Sequence, residues 1–70
     1  MRVLEEDTNE QGEFTLWVER DSLRVPPSFV AIHGNDGEWR FIDLYTGNPL
    51  VVRVVEREFC ESEWLRRTSK

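Results

Sequence analysis

The chain of 70 residues contains one cysteine and one histidine, and this scarcity excludes several classes of protein. Cys60 has no second thiol with which to form an intramolecular disulfide, and together with His33 it supplies too few ligands for a Cys/His zinc cluster. The sequence also carries no motif typical of a nucleotide, cofactor or metal site. We therefore expect a protein that works without a cofactor or a metal ion.

Long hydrophobic runs are missing as well. No early apolar run of about seven or more residues follows a basic start, as it would in a secretory signal peptide, and no run approaches the length that spans a membrane. A lone thiol is in addition typical of reducing compartments. These features predict a cytoplasmic protein without a membrane partner.

Positive charge is scarce in the first part of the chain. The net charge is −5, and all of the excess lies in residues 1–19, which hold six acidic residues against Arg2 alone. Basic residues cluster only at Arg66, Arg67 and Lys70. Phosphate binding requires a basic surface, so this distribution makes nucleic acid an unlikely partner and favours a protein with a basic or apolar surface.

Alternation of apolar and polar residues predicts strands in the first half of the chain. Val3 and Leu4 allow a brief first strand, and the polar segment 5–12 predicts a turn or a mobile loop. Residues 13–19 alternate, with Phe14, Leu16 and Val18 on one face and Glu13, Thr15, Trp17 and Glu19 on the other. This pattern predicts a half-buried strand that carries Trp17 on its wetter side.

Residues 28–56 give the strongest strand signals. Three apolar runs are separated by two glycine-containing turns, around Asn35-Asp36-Gly37 and Tyr45-Thr46-Gly47. Residues 50–55 have the highest density of β-branched side chains, so they predict the last strand of a three-stranded antiparallel meander. Pro26 and Pro27 cannot donate ladder hydrogen bonds, and they exclude a central strand just before it.

The last segment is ambiguous between helix and strand. Apolar residues recur four apart, as in Cys60 and Trp64, and acidic residues precede basic ones, which favours a helix over residues 58–67. The alternative continues the last strand through Phe59. The predicted fold is one small, mainly β domain, an antiparallel meander or open barrel of four to five strands with a short C-terminal helix.

The sequence offers few candidate catalytic residues. His33 has no serine or cysteine near it in sequence, Cys60 has no adjacent base, and the carboxylates Glu38 and Asp43 flank turns where solvent reaches them. A chain this short rarely builds an enclosed cleft. We therefore predict a protein that is not an enzyme.

Aromatic and acidic residues provide the better functional signal, because tryptophan, tyrosine and arginine dominate the energetics of protein interfaces. The sequence predicts a protein-binding module, a small acidic adaptor or inhibitor that could also form a homodimer. Small acidic chains are also typical of accessory proteins of phages and mobile elements, an argument from size and charge alone. The candidate partner-binding residues are Glu5, Glu6, Asp7, Glu10, Trp17, Arg40, Tyr45 and Trp64.

Two alternatives stay open at this point. A single-stranded nucleic-acid binder would stack bases on Trp17, Trp39 and Tyr45. It would hold phosphates with Arg40, Arg53 and the basic tail of Arg66, Arg67 and Lys70. A small structural subunit of a larger assembly would use the same aromatic residues to contact its neighbours.

Overall fold

A computed structural model describes residues 1–68 and shows a four-stranded antiparallel sheet with one helix packed on one of its faces. The elements are β1 (Arg2–Thr8), β2 (Phe14–Glu19), β3 (Ser28–His33), β4 (Trp39–Asp43) and α1 (Val54–Thr68). The strands lie in the order β1-β2-β3-β4 and the sheet does not close. The mainly β meander with a C-terminal helix is thus confirmed. Over the residues described, no helix is both long and apolar enough to cross a membrane.

The core lies between the sheet and α1. Leu16 pairs with Ala31 and Val18 pairs with Phe29, so the alternation of β2 and β3 places these four side chains on one face. They are fully buried together with Cys60 of the helix. The apolar face predicted for residues 13–19 is therefore the core face.

Strand β1 corrects the predicted loop. The prediction of a turn or loop from Glu5 was wrong for residues 5–8, which pair with β2, and the turn is confined to residues 9–12. The Asn9 side chain accepts hydrogen bonds from the backbone N–H groups of Gln11 and Glu13, at 3.0 and 2.8 Å. Backbone pairing with β2 outweighs the poor strand propensity of the acidic residues.

The predicted last strand is also wrong. Beyond β4 the chain makes a single isolated bridge, between Ile42 and Pro49, and α1 begins at Val54. Glu56 explains the difference, because its carboxylate accepts the N–H of Arg53 at 2.8 Å and so caps the first turn of a helix. The predicted helix over 58–67 is confirmed and begins four residues earlier, which excludes a strand running through Phe59.

Candidate interaction surface

Strand β1 is an edge of the sheet. It pairs with β2 on one side, and no strand pairs with its other side in the part of the chain described. Half of its backbone N–H and C=O groups therefore point away from the sheet, where they can pair with another chain. Three of the predicted acidic residues, Glu5, Glu6 and Asp7, lie on this strand, and Glu10 lies in the turn that follows.

The acidic residues of β1 divide between the two faces of the sheet. Glu6 lies opposite Leu16 on the face covered by the helix, and its carboxylate forms an ion pair with Arg67 of α1. The second oxygen of Glu6 is buried and has no hydrogen-bond partner among residues 1–68. Glu5 and Asp7 are exposed on the other face, and neither forms an ion pair within residues 1–68.

The face opposite the helix carries Trp17 beside this edge. The pairing register places Glu5 next to Trp17, Trp17 next to Val30, and Val30 next to Ile42. These three apolar side chains are half-buried, and α1 lies on the opposite face of the sheet. The sequence pattern correctly placed Trp17 on the side away from the core. We name Glu5, Asp7, Trp17 and the outer backbone of β1 the acidic edge.

Arg40 lies on the same face as Trp17, but its side chain contacts Glu13, next to the turn between β1 and β2. Its guanidinium forms an ion pair with Glu13, with 2.9 Å between Nη2 and Oε1. Glu13 also accepts hydrogen bonds from the Asn9 side chain and the Asn35 backbone N–H, each at 3.1 Å. These hydrogen bonds, the Asn9 contact first, hold the pKa of Glu13 below its usual value. The sequence did not single out Glu13, because its partners lie up to 27 positions away.

Trp64 and Tyr45 lie apart from the acidic edge. Trp64 stacks on His33 on the helix-covered face, with 4.0 Å between ring centroids and 12° between ring planes. Trp39 packs in the same region, where its indole N–H donates to Glu61 at 2.7 Å. Tyr45 is exposed in the turn after β4. The structure therefore brings Glu5, Asp7 and Trp17 together and places the other two aromatic candidates elsewhere.

Cys60 and His33, the two side chains considered for nucleophilic or base catalysis, lie in different surroundings. Cys60 is fully buried, and desolvation, with the charges of Glu56 and Glu63, raises the pKa of its thiol to about 12. A cavity of about 440 Å³ opens between the turns and the end of α1, and His33 lines it with its ring stacked on Trp64. Among residues 1–68, no group of three His, Cys, Asp or Glu side chains is placed to hold a metal ion.

Comparisons with known proteins assign no family to this geometry. No family model, no curated protein and no solved structure matches the chain. The acidic edge, on which three of the eight predicted binding residues lie together, Glu5, Asp7 and Trp17, is therefore the basis for a functional proposal.

Proposed function

We propose that the protein is a cytoplasmic, non-enzymatic binding module that receives an extended basic segment of a larger protein along the outer edge of β1. The observation that supports this is an unpaired edge strand with two exposed carboxylates on one face, Glu5 and Asp7. Addition of a strand to an open edge is a common mode of peptide recognition, in which the backbone supplies affinity and alternate side chains supply specificity.

The spacing of the carboxylates defines the chemistry of the partner. Glu5 and Asp7 are two residues apart, so their side chains point to the same face. A strand added beside β1 would present every second side chain to that face, and arginine or lysine at alternate positions would meet both carboxylates. The ring of Trp17, next to Glu5, offers a further contact for one of these cations.

The same charges disfavour pairing between two copies of β1. Like charges directly opposite each other destabilise a strand pair, and charged side chains on an edge are a known protection against self-association. The edge therefore fits a partner of opposite charge. Such a module is an adaptor, or an inhibitor where the basic segment belongs to the partner's own functional site. The small size and negative charge of the chain are also typical of accessory proteins of phages and mobile elements, so the module would fit that role.

The first experiment uses a capped synthetic peptide that alternates arginine and valine, titrated into the isotopically labelled protein and followed by NMR. We expect shifts in the amides of β1 and the indole of Trp17, with affinity that falls as salt rises. The double variant Glu5→Lys/Asp7→Lys should lose this binding. The matched control Glu38→Lys/Glu58→Lys makes the same change in net charge on exposed residues of the β3–β4 turn and α1, and should retain it.

A second experiment searches for the natural partner by affinity capture from the native host with the same three proteins. A partner retained by the wild type and the control, and lost by the β1 variant, supports the proposal. Equal retention by the β1 variant, or peptide shifts that avoid β1, would refute it.

The nucleic-acid alternative has less support from the arrangement of its aromatic residues. Trp17 lies on the open face, Trp39 is bonded to Glu61 under the helix, and Tyr45 lies in a turn. Stacking of successive bases needs rings on a shared surface. An oligonucleotide titration gives the direct comparison, since tight, salt-sensitive binding there would favour this alternative.

A further inference from the structure

Most of the exposed hydrophobic side chains lie at one end of the molecule, formed by the loop 20–27, the connection 44–53 and the first turn of α1. Nine large hydrophobic residues are exposed within residues 1–68, and seven of them lie at this end: Leu23, Val25, Leu44, Tyr45, Val51, Val54 and Val55. We name these seven residues the apolar end. Seven large hydrophobic residues are thus exposed at this end, whereas five apolar residues are fully buried in the core.

The topology brings these segments together. In the antiparallel meander, the last residue of β2, the first residue of β3 and the last residue of β4 lie at the same end of the sheet. The start of α1 is fixed there by Arg20, whose guanidinium binds the Glu56 carboxylate with distances of 2.7 and 2.8 Å. The backbone N–H of Arg20 also donates to the carbonyl of Pro27 at 2.8 Å, which closes the base of the loop 20–27.

Leu23 is the most prominent residue of the apolar end. It is fully exposed, and its φ of 75° lies in the left-handed region that a leucine rarely adopts. A strained conformation persists where the surrounding structure holds it, and here the Arg24 N–H donates to the Asp21 carbonyl at the loop tip. Within the monomer this leucine gains no burial in return, so the loop presents it outward.

The exposed area matches what a dimer needs. The exposed fractions of the seven residues range from 39% to 100% and add up to about five fully exposed residues. Full burial of a valine or leucine removes roughly 60–120 Å² of apolar side-chain surface, so the apolar end offers roughly 300–600 Å². About 65% of a homodimer interface is apolar, which corresponds to roughly 500 Å² on each partner of a standard interface. A stable interface removes about 800 Å² from each partner, which is about one sixth of this chain's accessible surface of 4799 Å².

The charges around the apolar end also suit a second copy. Exposed or half-buried residues in or next to these segments carry both signs. Arg24, Arg53 and Arg57 are basic, Glu58 is acidic, and Asp21 is acidic and already paired with the amino terminus at 2.7 Å. A two-fold axis sets a residue that lies away from the axis against a different residue of the partner, so a rim of both signs can pair with itself. A short chain with a thin core gains stability from such an association.

We propose that the apolar end is the interface of a symmetric homodimer of this chain. Its residues lie outside the acidic edge, so each dimer would carry two acidic edges free for partners. The interface does not depend on the function proposed for that edge.

The test is analytical ultracentrifugation of the full chain over a wide concentration range. We expect a reversible monomer–dimer equilibrium and a melting temperature that rises with concentration. The double variant Leu23→Ser/Val25→Ser changes two side chains that are 100% and 90% exposed, so the monomer fold should persist by circular dichroism. Its dimerisation should weaken by about tenfold or more.

The matched control is Leu4→Ser/Leu65→Ser, which changes the two exposed large hydrophobic residues that lie outside the apolar end. It should dimerise as the wild type does. A wild type that stays monomeric at every concentration would overturn the proposal, as would equal weakening in both variants. A monomer that instead floats with vesicles of phosphatidylcholine and phosphatidylserine would assign the apolar end to a lipid surface and also overturn it.

Discussion

The carboxylate of Glu56 binds the guanidinium of Arg20 through two hydrogen bonds, and both side chains are at least 95% buried. The same carboxylate accepts the backbone N–H of Arg53 and so also closes the first turn of α1. One carboxylate therefore fixes the start of the helix and joins it to the end of β2, 36 positions earlier in the chain.

Replacement of Glu56 by alanine should destabilise the protein strongly. The change leaves the Arg20 guanidinium buried without a counter-ion and removes the helix cap, and loss of one partner of a buried ion pair costs about 3–5 kcal/mol. Urea denaturation of wild type and Glu56→Ala measures this difference. The exposed neighbour Glu58→Ala should change the free energy of unfolding by less than about 0.5 kcal/mol.

A double replacement separates the effect of losing the ion pair from the effect of leaving one buried charge without a counter-ion. Arg20→Met/Glu56→Leu removes both ions, so it should cost less than Glu56→Ala alone. A double variant that is equally destabilised would show that loss of the ion pair and of the helix cap, and not the stranded arginine, accounts for the destabilisation.

Acid should destabilise the protein through its paired carboxylates. Burial raises the pKa of Glu56, but hydrogen bonds from Arg20 and the Arg53 N–H, with the charge of Arg20, hold the pKa below the ordinary value of 4.5. Hydrogen bonds from Asn9 and Asn35 lower the pKa of Glu13, and the amino terminus lowers that of Asp21. A lowered pKa means that the ionised carboxylate stabilises the folded state relative to the unfolded state. This contribution to the free energy of unfolding is lost as the pH falls through the folded-state pKa.

The free energy of unfolding should therefore stay nearly constant from neutral pH to about pH 5 and decrease below it. Denaturation curves at a series of pH values measure this profile. Glu56→Gln should be less stable at neutral pH and show a shallower decrease in acid. A wild type whose stability increases on acidification would contradict the prediction.

The thiol of Cys60 should be inert in the folded protein. Its side chain is fully buried and its pKa is raised to about 12, so almost no thiolate forms near neutral pH. We expect iodoacetamide to label Cys60 only when urea unfolds the chain, with the same midpoint as the loss of circular dichroism. A Cys60→Ser/Ser62→Cys variant, which moves the thiol to an exposed helix position, should be labelled without urea. Rapid labelling of the native wild type would contradict this assignment.

Strands β2, β3 and β4 were predictable from apolar patterns bounded by turn residues, and the two errors have physical causes. Residues 5–8 have no apolar alternation, and their strand exists because backbone groups of β1 pair with β2. Val54 and Val55 favour strand by local propensity, yet the buried contact of Glu56 with Arg20 selects the helix. Local patterns do not report a partner that lies 36 positions away.

The residues of the candidate site were predictable from the sequence, but their alignment in the sheet was not. Alternation placed Trp17 on the face away from the core, and charge counting identified the acidic residues. Their alignment depends on the register of β1 against β2, which shifts between Val3 and Glu5. A one-residue shift moves side chains to the other face, so the sequence alone did not show that Glu5 and not Glu6 lies beside Trp17.

The order of the strands in the sheet has a consequence for the kinetics of folding. Each strand pairs only with its neighbour in the sequence, so the sheet can form through successive hairpins without closing a long loop. Such local topologies have low contact order and fold rapidly. The contact between Arg20 and Glu56 joins residues 36 positions apart, about half of the 70-residue chain, so we expect helix docking to be the slow step that completes the native state.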